Sequence, residues 1–363
     1  MIRTFRYSFI LAKIYGMLAR SFIGENYREI LRLKRVQDIY DRLYPGERAE
    51  KPEHHLTAEL EARIVQSGIA TMIFVLDLMG EPEEILVHIL RKFEYQGVKS
   101  LLRGLAPASA GSAAGSAEGT AEGTAEGSAA GSPPHGATAE ELVPAQVWDL
   151  GRYGSVDLAH SRDPLASIEE SPYAWVVPLA KTTPIVRIEN MLDQEYYRRL
   201  LALTRALHAK DRTGVSRLVH LEIGLADVLW ALRLRFSFGM DAEKARDLLI
   251  PGVLEAERRA VAQAFDIPAD SIEGWRKWRF GWLVEDQLSE SFQAPDPVRA
   301  EQKGTRRLYI RAHQLFHQDP FTLTPIVAFF KLKEYEVGLL KTAVEALRLS
   351  VSAQDILALV GAT

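Results

Sequence analysis

The pair of side chains that comes closest to a metal site is His313 and His317. Spaced four apart on a helix, the two imidazoles would share one face, as zinc ligands do. No third ligand follows at a recognisable spacing, and closed zinc sites need four ligands. The pair therefore reads as ordinary surface or satisfied histidines. His54 and His55 adjoin a Pro- and Glu-rich turn, where exposure is the default. Trp275, Trp278, Phe280 and Trp282 alternate with Arg276, Lys277 and Arg279. Aromatics and cations in this pattern can stack nucleic-acid bases. They can equally fill a helix seam while the cations face water, and a net charge of −4 favours packing over a nucleic-acid partner. The chain has no phosphate loop, no HExxH zinc helix and no GxSxG nucleophile elbow. With no cysteine, thiol nucleophiles, disulfides and thiolate metal sites are excluded. The 48 acidic and 44 basic residues read as solvated helix faces rather than an acid–base pair. No cofactor, metal or catalytic residue is expected.

The elements that would carry these side chains are helical. The 363 residues are 47% hydrophobic, enough for a substantial core, and the length suggests two or three domains. Helix starts are signalled at Asp163-Pro164, Thr183-Pro184, Asp296-Pro297 and Thr324-Pro325, where a capping side chain precedes a proline at the first turn. Thr138 with Glu141 and Asp270 with Glu273 have capping-box spacing. Tyr173 to Val177 is the best strand candidate, and Pro178 ends it. The best apolar run, Ile69 to Met79, contains Asp77 and falls short of the roughly 20 residues of a membrane span. Residues 3 to 22 read as an amphipathic helix. The first 35 residues carry eight basic and two acidic side chains, a charge of +6 that suits either a solvated face or an anionic surface. Between Pro107 and Ala137 glycine recurs every fourth residue from Gly111 to Gly131, with no large apolar side chain to bury. This segment reads as a flexible linker.

A distant internal repeat organises the rest. Three short helices run over Val36 to Tyr44, Asp163 to Tyr173 and Asp270 to Phe280. Each is followed by a glutamate within a longer helix: Glu61, Glu189 and Glu301. Each unit closes on a helix of related apolar spacing: 94–103 (EYQGVKSLLR), 224–233 (GLADVLWALR) and 336–345 (EVGLLKTAVE). From glutamate to the end of the closing segment the gaps are 42, 44 and 44 residues. Near-equal gaps imply equal helix lengths, hence three copies of one unit. The expected fold is all-α: unit 1 over 1–105, a linker over 106–141, unit 2 over 142–252 and unit 3 over 253–363. Three such units can surround a pseudo-threefold axis and leave a central hollow.

The stretch 320–341 (PFTLTPIVAFFKLKEYEVGLLK) resembles the last helical segment of the C-type (also called d-type) subunits of the V/A-type rotary ATPases. Residues 192–197 (LDQEYY), Glu222 to Arg233 and 249–252 (LIPG) resemble that family's middle unit, and Phe93 to Arg103 the closing helix of its first. The likeness is collinear over nearly the whole chain outside the linker. It departs from the family where Gly97, Asp227 and Leu339 stand in place of an asparagine, at Gly224 in place of an acid, and in the inserted linker. The resemblance implies a funnel of three helical units that performs no bond chemistry. Its wide face would sit on the membrane rotor ring and its hollow would receive the central stalk. Such a protein is peripheral, on the cytoplasmic face of the membrane, and couples ATP hydrolysis or synthesis to proton or sodium movement. Closing-helix charges not needed for the core are the expected stalk or ring contacts: Glu94, Arg103, Asp227, Arg233, Glu334 and Glu336. An unrelated helical scaffold or adaptor, or an enzyme with an unfamiliar helical site, remains open on the residues alone.

Overall fold

A computed structural model describes residues 2–47, 53–105, 146–180, 182–250 and 255–351. The linker expected at 106–141 and the Thr138–Glu141 capping box lie outside them. The described residues contain helices and turns and no strand. In chain order the helices are α1 (Ile2–Leu18), α2 (Glu25–Ile30), α3 (Val36–Leu43), α4 (Glu53–Met79), α5 (Glu84–Leu90), α6 (Lys92–Leu105), α7 (Pro164–Glu169), α8 (Val176–Leu179), α9 (Ile185–Ala206), α10 (Ala209–Phe236), α11 (Ala242–Arg246), α12 (Glu255–Asp266), α13 (Ile272–Lys277), α14 (Pro297–Phe316) and α15 (Thr324–Arg348).

Two proline starts fall where the sequence puts them. Asp163 and Asp296 cap α7 and α14 by accepting the Ala166 and Val298 amides at 3.1 and 2.8 Å. At α9 and α15 the boundary shifts by one residue: Pro184 itself occupies the cap of α9, and Leu323 that of α15. The box expected from Asp270 and Glu273 does not form; Ser271 caps the helix instead, its hydroxyl accepting the Gly274 amide at 3.1 Å. The strand candidate at 173–177 is a turn leading into the four-residue α8, which contains Pro178.

Helix α4 is longer and more apolar than the run from Ile69 to Met79 suggests. From Leu56 to Met79 it is long and apolar enough, by length and composition, to cross a membrane. Here it is a core helix. Leu60, Ile64, Ile69, Met72, Val75 and Leu76 are buried, and α4 packs against α1, α3, α5 and α15. Its approach to α15 depends on Gly68, where an added Cβ would stand 2.6 Å from Val337 Cγ2. It ends at Gly80, whose φ of 70° stops the helix in the left-handed region.

Three helix contacts position everything that follows. Helix α6 packs on α9, α10 on α14, and α15 on α4. Helices α9 and α10 also pack together, as do α14 and α15. One core runs through α1 to α10, α14 and α15, with Phe316, Phe329 and Phe330 fully buried in it. Each such ring is worth roughly 1.5–3 kcal/mol of burial. A second core joins α10 to α12, α13 and α14 around Trp275, Trp278 and Phe280. The tryptophan cluster is thus packing: Trp278 donates its indole N–H to the Ala260 carbonyl at 2.6 Å, and Arg235 covers Trp275.

Candidate functional site

The long helices α6, α9, α10 and α14 enclose a cavity of about 480 Å³. Charges paired between helices line it. Arg103 of α6 bonds Glu189 of α9, and Lys99 one turn earlier bonds Asp193 at 2.5 Å. Arg233 of α10 bonds Glu301 of α14. A similar pair outside the cavity joins Lys341 of α15 to Glu61 of α4 at 3.7 Å. Partial burial raises the pKa of Glu61 against the pull of Lys341.

A largely buried four-residue ionic cluster lies at one side of the cavity, with Lys92 and Glu222 in its lining. Lys92, at the first position of α6, reaches Glu222 of α10 at 3.1 Å and Glu334 of α15 at 2.9 Å. Lys331 of α15 reaches the same two carboxylates at 3.0 and 2.8 Å. Two positive and two negative charges close a neutral square. Burial by itself would raise the Glu222 pKa, but Lys331 and Lys92 outweigh it and hold the carboxyl at about 2. Burial likewise opposes the charge on Lys92, and Glu334 and Glu222 lift its pKa well above the ordinary lysine value. Tyr196 lies in the same region, and burial drives its hydroxyl well above the ordinary phenol.

The six expected contact residues separate into three groups. Arg103, Asp227 and Arg233 line the cavity. Glu334 belongs to the ionic cluster. Glu94 and Glu336 lie elsewhere: Glu94 accepts the Ser155 amide at 2.8 Å, and Glu336 accepts the Phe22 amide at 2.6 Å and an ion pair from Lys333. Both are buried, and burial raises the Glu94 pKa despite the Ser155 bond. Asp227 is also buried, accepting the Ile250 amide at 2.8 Å. Burial pushes its pKa up to about 7, partly opposed by that bond and by Arg258. Three of the six therefore fasten irregular segments to their helices.

Sequence spacing does not single out Lys331 and Glu222, which carry equal weight in the cluster. Lys331 ends the run Pro325 to Phe330, and Glu222 sits between Leu218 and Leu225. A lone charge on an otherwise apolar helix face is the signal that could have found them. Each basic side chain lining the cavity is paired with an acid among the described residues. No group of three metal-ligating side chains occurs among the described residues. Three polar atoms of lining residues, Glu222 Oε2, Asn190 Oδ1 and Trp230 Nε1, have no hydrogen-bond partner among the described groups.

Residues 10–359 match the model of the ATP synthase (C/AC39) subunit. The chain belongs to this family. Proteins of the C/AC39 family are non-catalytic members of ATPase complexes. Among relatives, an uncharacterized protein of Treponema pallidum (strain Nichols) is 26% identical over 333 residues, covering 90% of this chain and 88% of its own length. The C subunit of the A-type ATP synthase of Methanosarcina barkeri (strain Fusaro) is 22% identical over 262 residues, covering 71% of this chain and 64% of the relative. That of Methanosarcina mazei (strain Goe1) is 19% identical over 344 residues, covering 91% and 86%. The resemblance read from residues 320–341 and the middle unit thus extends to C/AC39 membership over nearly the full chain.

Proposed function

We propose that this chain is a central-rotor subunit of a V/A-type ATPase. It joins the central stalk to the membrane rotor ring and couples ATP hydrolysis or synthesis to proton or sodium transport, bound peripherally at the cytoplasmic face. Its three units, 1–105, 142–252 and 253–363, surround a pseudo-threefold axis, and the stalk end enters the hollow between them.

One observation carries this reading beyond family membership. Lys92, Glu222 and Glu334 each stand two residues before the three aligned closing segments, and these three side chains meet in one ionic cluster. Corresponding positions of a repeat meet at a point only near a symmetry axis. The helix contacts agree with this, since each closing helix packs on the long helix of the next unit: α6 on α9, α10 on α14, α15 on α4. The pairs Arg103–Glu189 and Arg233–Glu301 repeat the same register. The third junction departs from it. Glu345 holds the position of the arginines, and Lys341, one turn earlier, pairs with Glu61 instead.

The test is purification of the membrane ATPase with its stalk. A rotor protein is recovered at one copy per complex and stays through a salt wash that strips weakly held adaptors. Recovery at a variable, salt-labile ratio would reject the rotor role and favour a helical adaptor.

A further inference from the structure

The segment from Asp247 to Ile250 forms a wall one chain thick. Leu248 and Ile250 line the central cavity, while Asp247, Leu249 and Ile250 border a second cavity of about 620 Å³ on the other side. Polar side chains of α9 and α10 hold this wall by its backbone. Asn190 donates to the Leu248 carbonyl at 2.8 Å, and Gln194 to those of Asp247 and Leu249 at 2.9 and 3.0 Å. Asp227 accepts the Ile250 amide. On this side the outer cavity is therefore bounded by backbone held in place by these bonds.

Its charge is unbalanced in what remains unpaired. Three guanidinium groups line it, Arg246 from α11 and Arg258 and Arg259 from α12, together with the carboxylates Asp247 and Glu255. Glu255 pairs with Arg259 at 3.8 Å, and neighbouring Glu257 turns to Arg279 at 4.0 Å. Arg246 and Arg258 make no ion pair and donate no hydrogen bond among the described residues, although the Arg258 charge acts at longer range on Asp227. Arg258 also stands near the start of α12, where the helix dipole disfavours a cation. Phe265, Ala262 and Leu249 supply an apolar floor. Two guanidinium forks without ion pairs, over such a floor, match the several acceptor oxygens of a phosphate group better than a single carboxylate.

We propose that this outer cavity binds a phosphate-bearing ligand, gripped by Arg246 and Arg258. The ligand is either a soluble phosphate compound or the phosphodiester headgroup of an anionic lipid. Both present the same oxygens, and two arms of one experiment separate them. The full chain is titrated with pyrophosphate by calorimetry at low salt, and sedimented with vesicles of phosphatidylglycerol or of phosphatidylcholine. Saturable binding is expected in the pyrophosphate arm, the phosphatidylglycerol arm, or both, and the arm names the source. R246Q/R258Q should weaken it at least tenfold, while the exposed pair R162Q/R217Q, remote from the cavity, leaves it unchanged. Ala262→Trp, which fills the cavity without altering charge, should weaken it as well. The altered side chains are exposed, so circular dichroism should match wild type throughout. Absence of saturable binding in both arms overturns the proposal. So does equal loss in the remote pair, or wild-type affinity in either cavity variant.

Discussion

Two sets of ion pairs lie a few helical turns apart along the same helices, and burial separates what they do. In the deep cluster the Lys331 and Glu222 side chains are 1% and 5% exposed. At the outer pairs Arg103 is 62% exposed and Arg233 37%. The attraction within a pair is similar in kind, but the surroundings differ. A charge removed from water must be matched, because an unmatched partner costs several kcal/mol. A pair open to water contributes about 0–1 kcal/mol, and loss of one member is repaired by solvent. The deep cluster therefore specifies how α6, α10 and α15 meet. The outer pairs are free to serve a partner.

Breaking one member of the deep cluster should give the largest effect. Lys331→Met keeps the side-chain volume but leaves Glu222 and Glu334 sharing Lys92. The expected loss is about 3–5 kcal/mol in denaturant unfolding. Adding Glu222→Leu leaves the neutral Lys92–Glu334 pair and should recover part of that loss. A loss below about 1 kcal/mol for Lys331→Met would show that solvent reaches the cluster.

Asp227 should give the next largest effect, visible as pH dependence. Its folded pKa, about 7, lies above the ordinary carboxyl value. The folded state then binds the proton more tightly than the unfolded chain. Stability from this group is present below about pH 4 and is lost as pH rises toward 7. Glu222 acts in the opposite sense: its folded pKa of about 2 gives stability above the ordinary glutamate range that is lost as pH falls. Asp227→Asn should flatten the stability profile between about pH 4 and 7 by a few kcal/mol, while leaving the acid limb set by Glu222. An unchanged slope in that window would mean that Asp227 is ionised throughout.

How much of this could be read from the sequence depends on what each feature rests on. The helices were legible because apolar spacing and proline starts such as Asp163-Pro164 and Asp296-Pro297 act locally. Boundaries moved where two residues competed for one cap, as Ser271 displaced Asp270. Charges of the closing helices were legible as candidates, but their fates were not. Glu94, Asp227 and Glu336 accept backbone amides from Ser155, Ile250 and Phe22, which are 61, 23 and 314 residues away. No local pattern records such distances. Spacing singled out Glu61, Glu189 and Glu301, whereas their pairing with Lys341, Arg103 and Arg233 needed the packing of one helix on another.

The smallest effect on stability should come from the outer pairs. Reversing Arg103 and Arg233 together to Glu places like charges beside Glu189 and Glu301, at a cost of about 1 kcal/mol per site in solvent-exposed surroundings. Helix content by circular dichroism should be unchanged, and the chain should still join its complex. A melting transition lowered as far as that of Lys331→Met would erase the distinction between the two sets.

The same double variant tests the rotor proposal most directly. Reconstituted in vesicles with the complete ATPase, it is assayed for ATP hydrolysis and ion pumping together. If Arg103 and Arg233 face the stalk and help to carry torque, hydrolysis continues while ions pumped per ATP fall severalfold. Pumping per ATP equal to wild type, from complexes that contain the variant at one copy each, would contradict a coupling contact in this cavity.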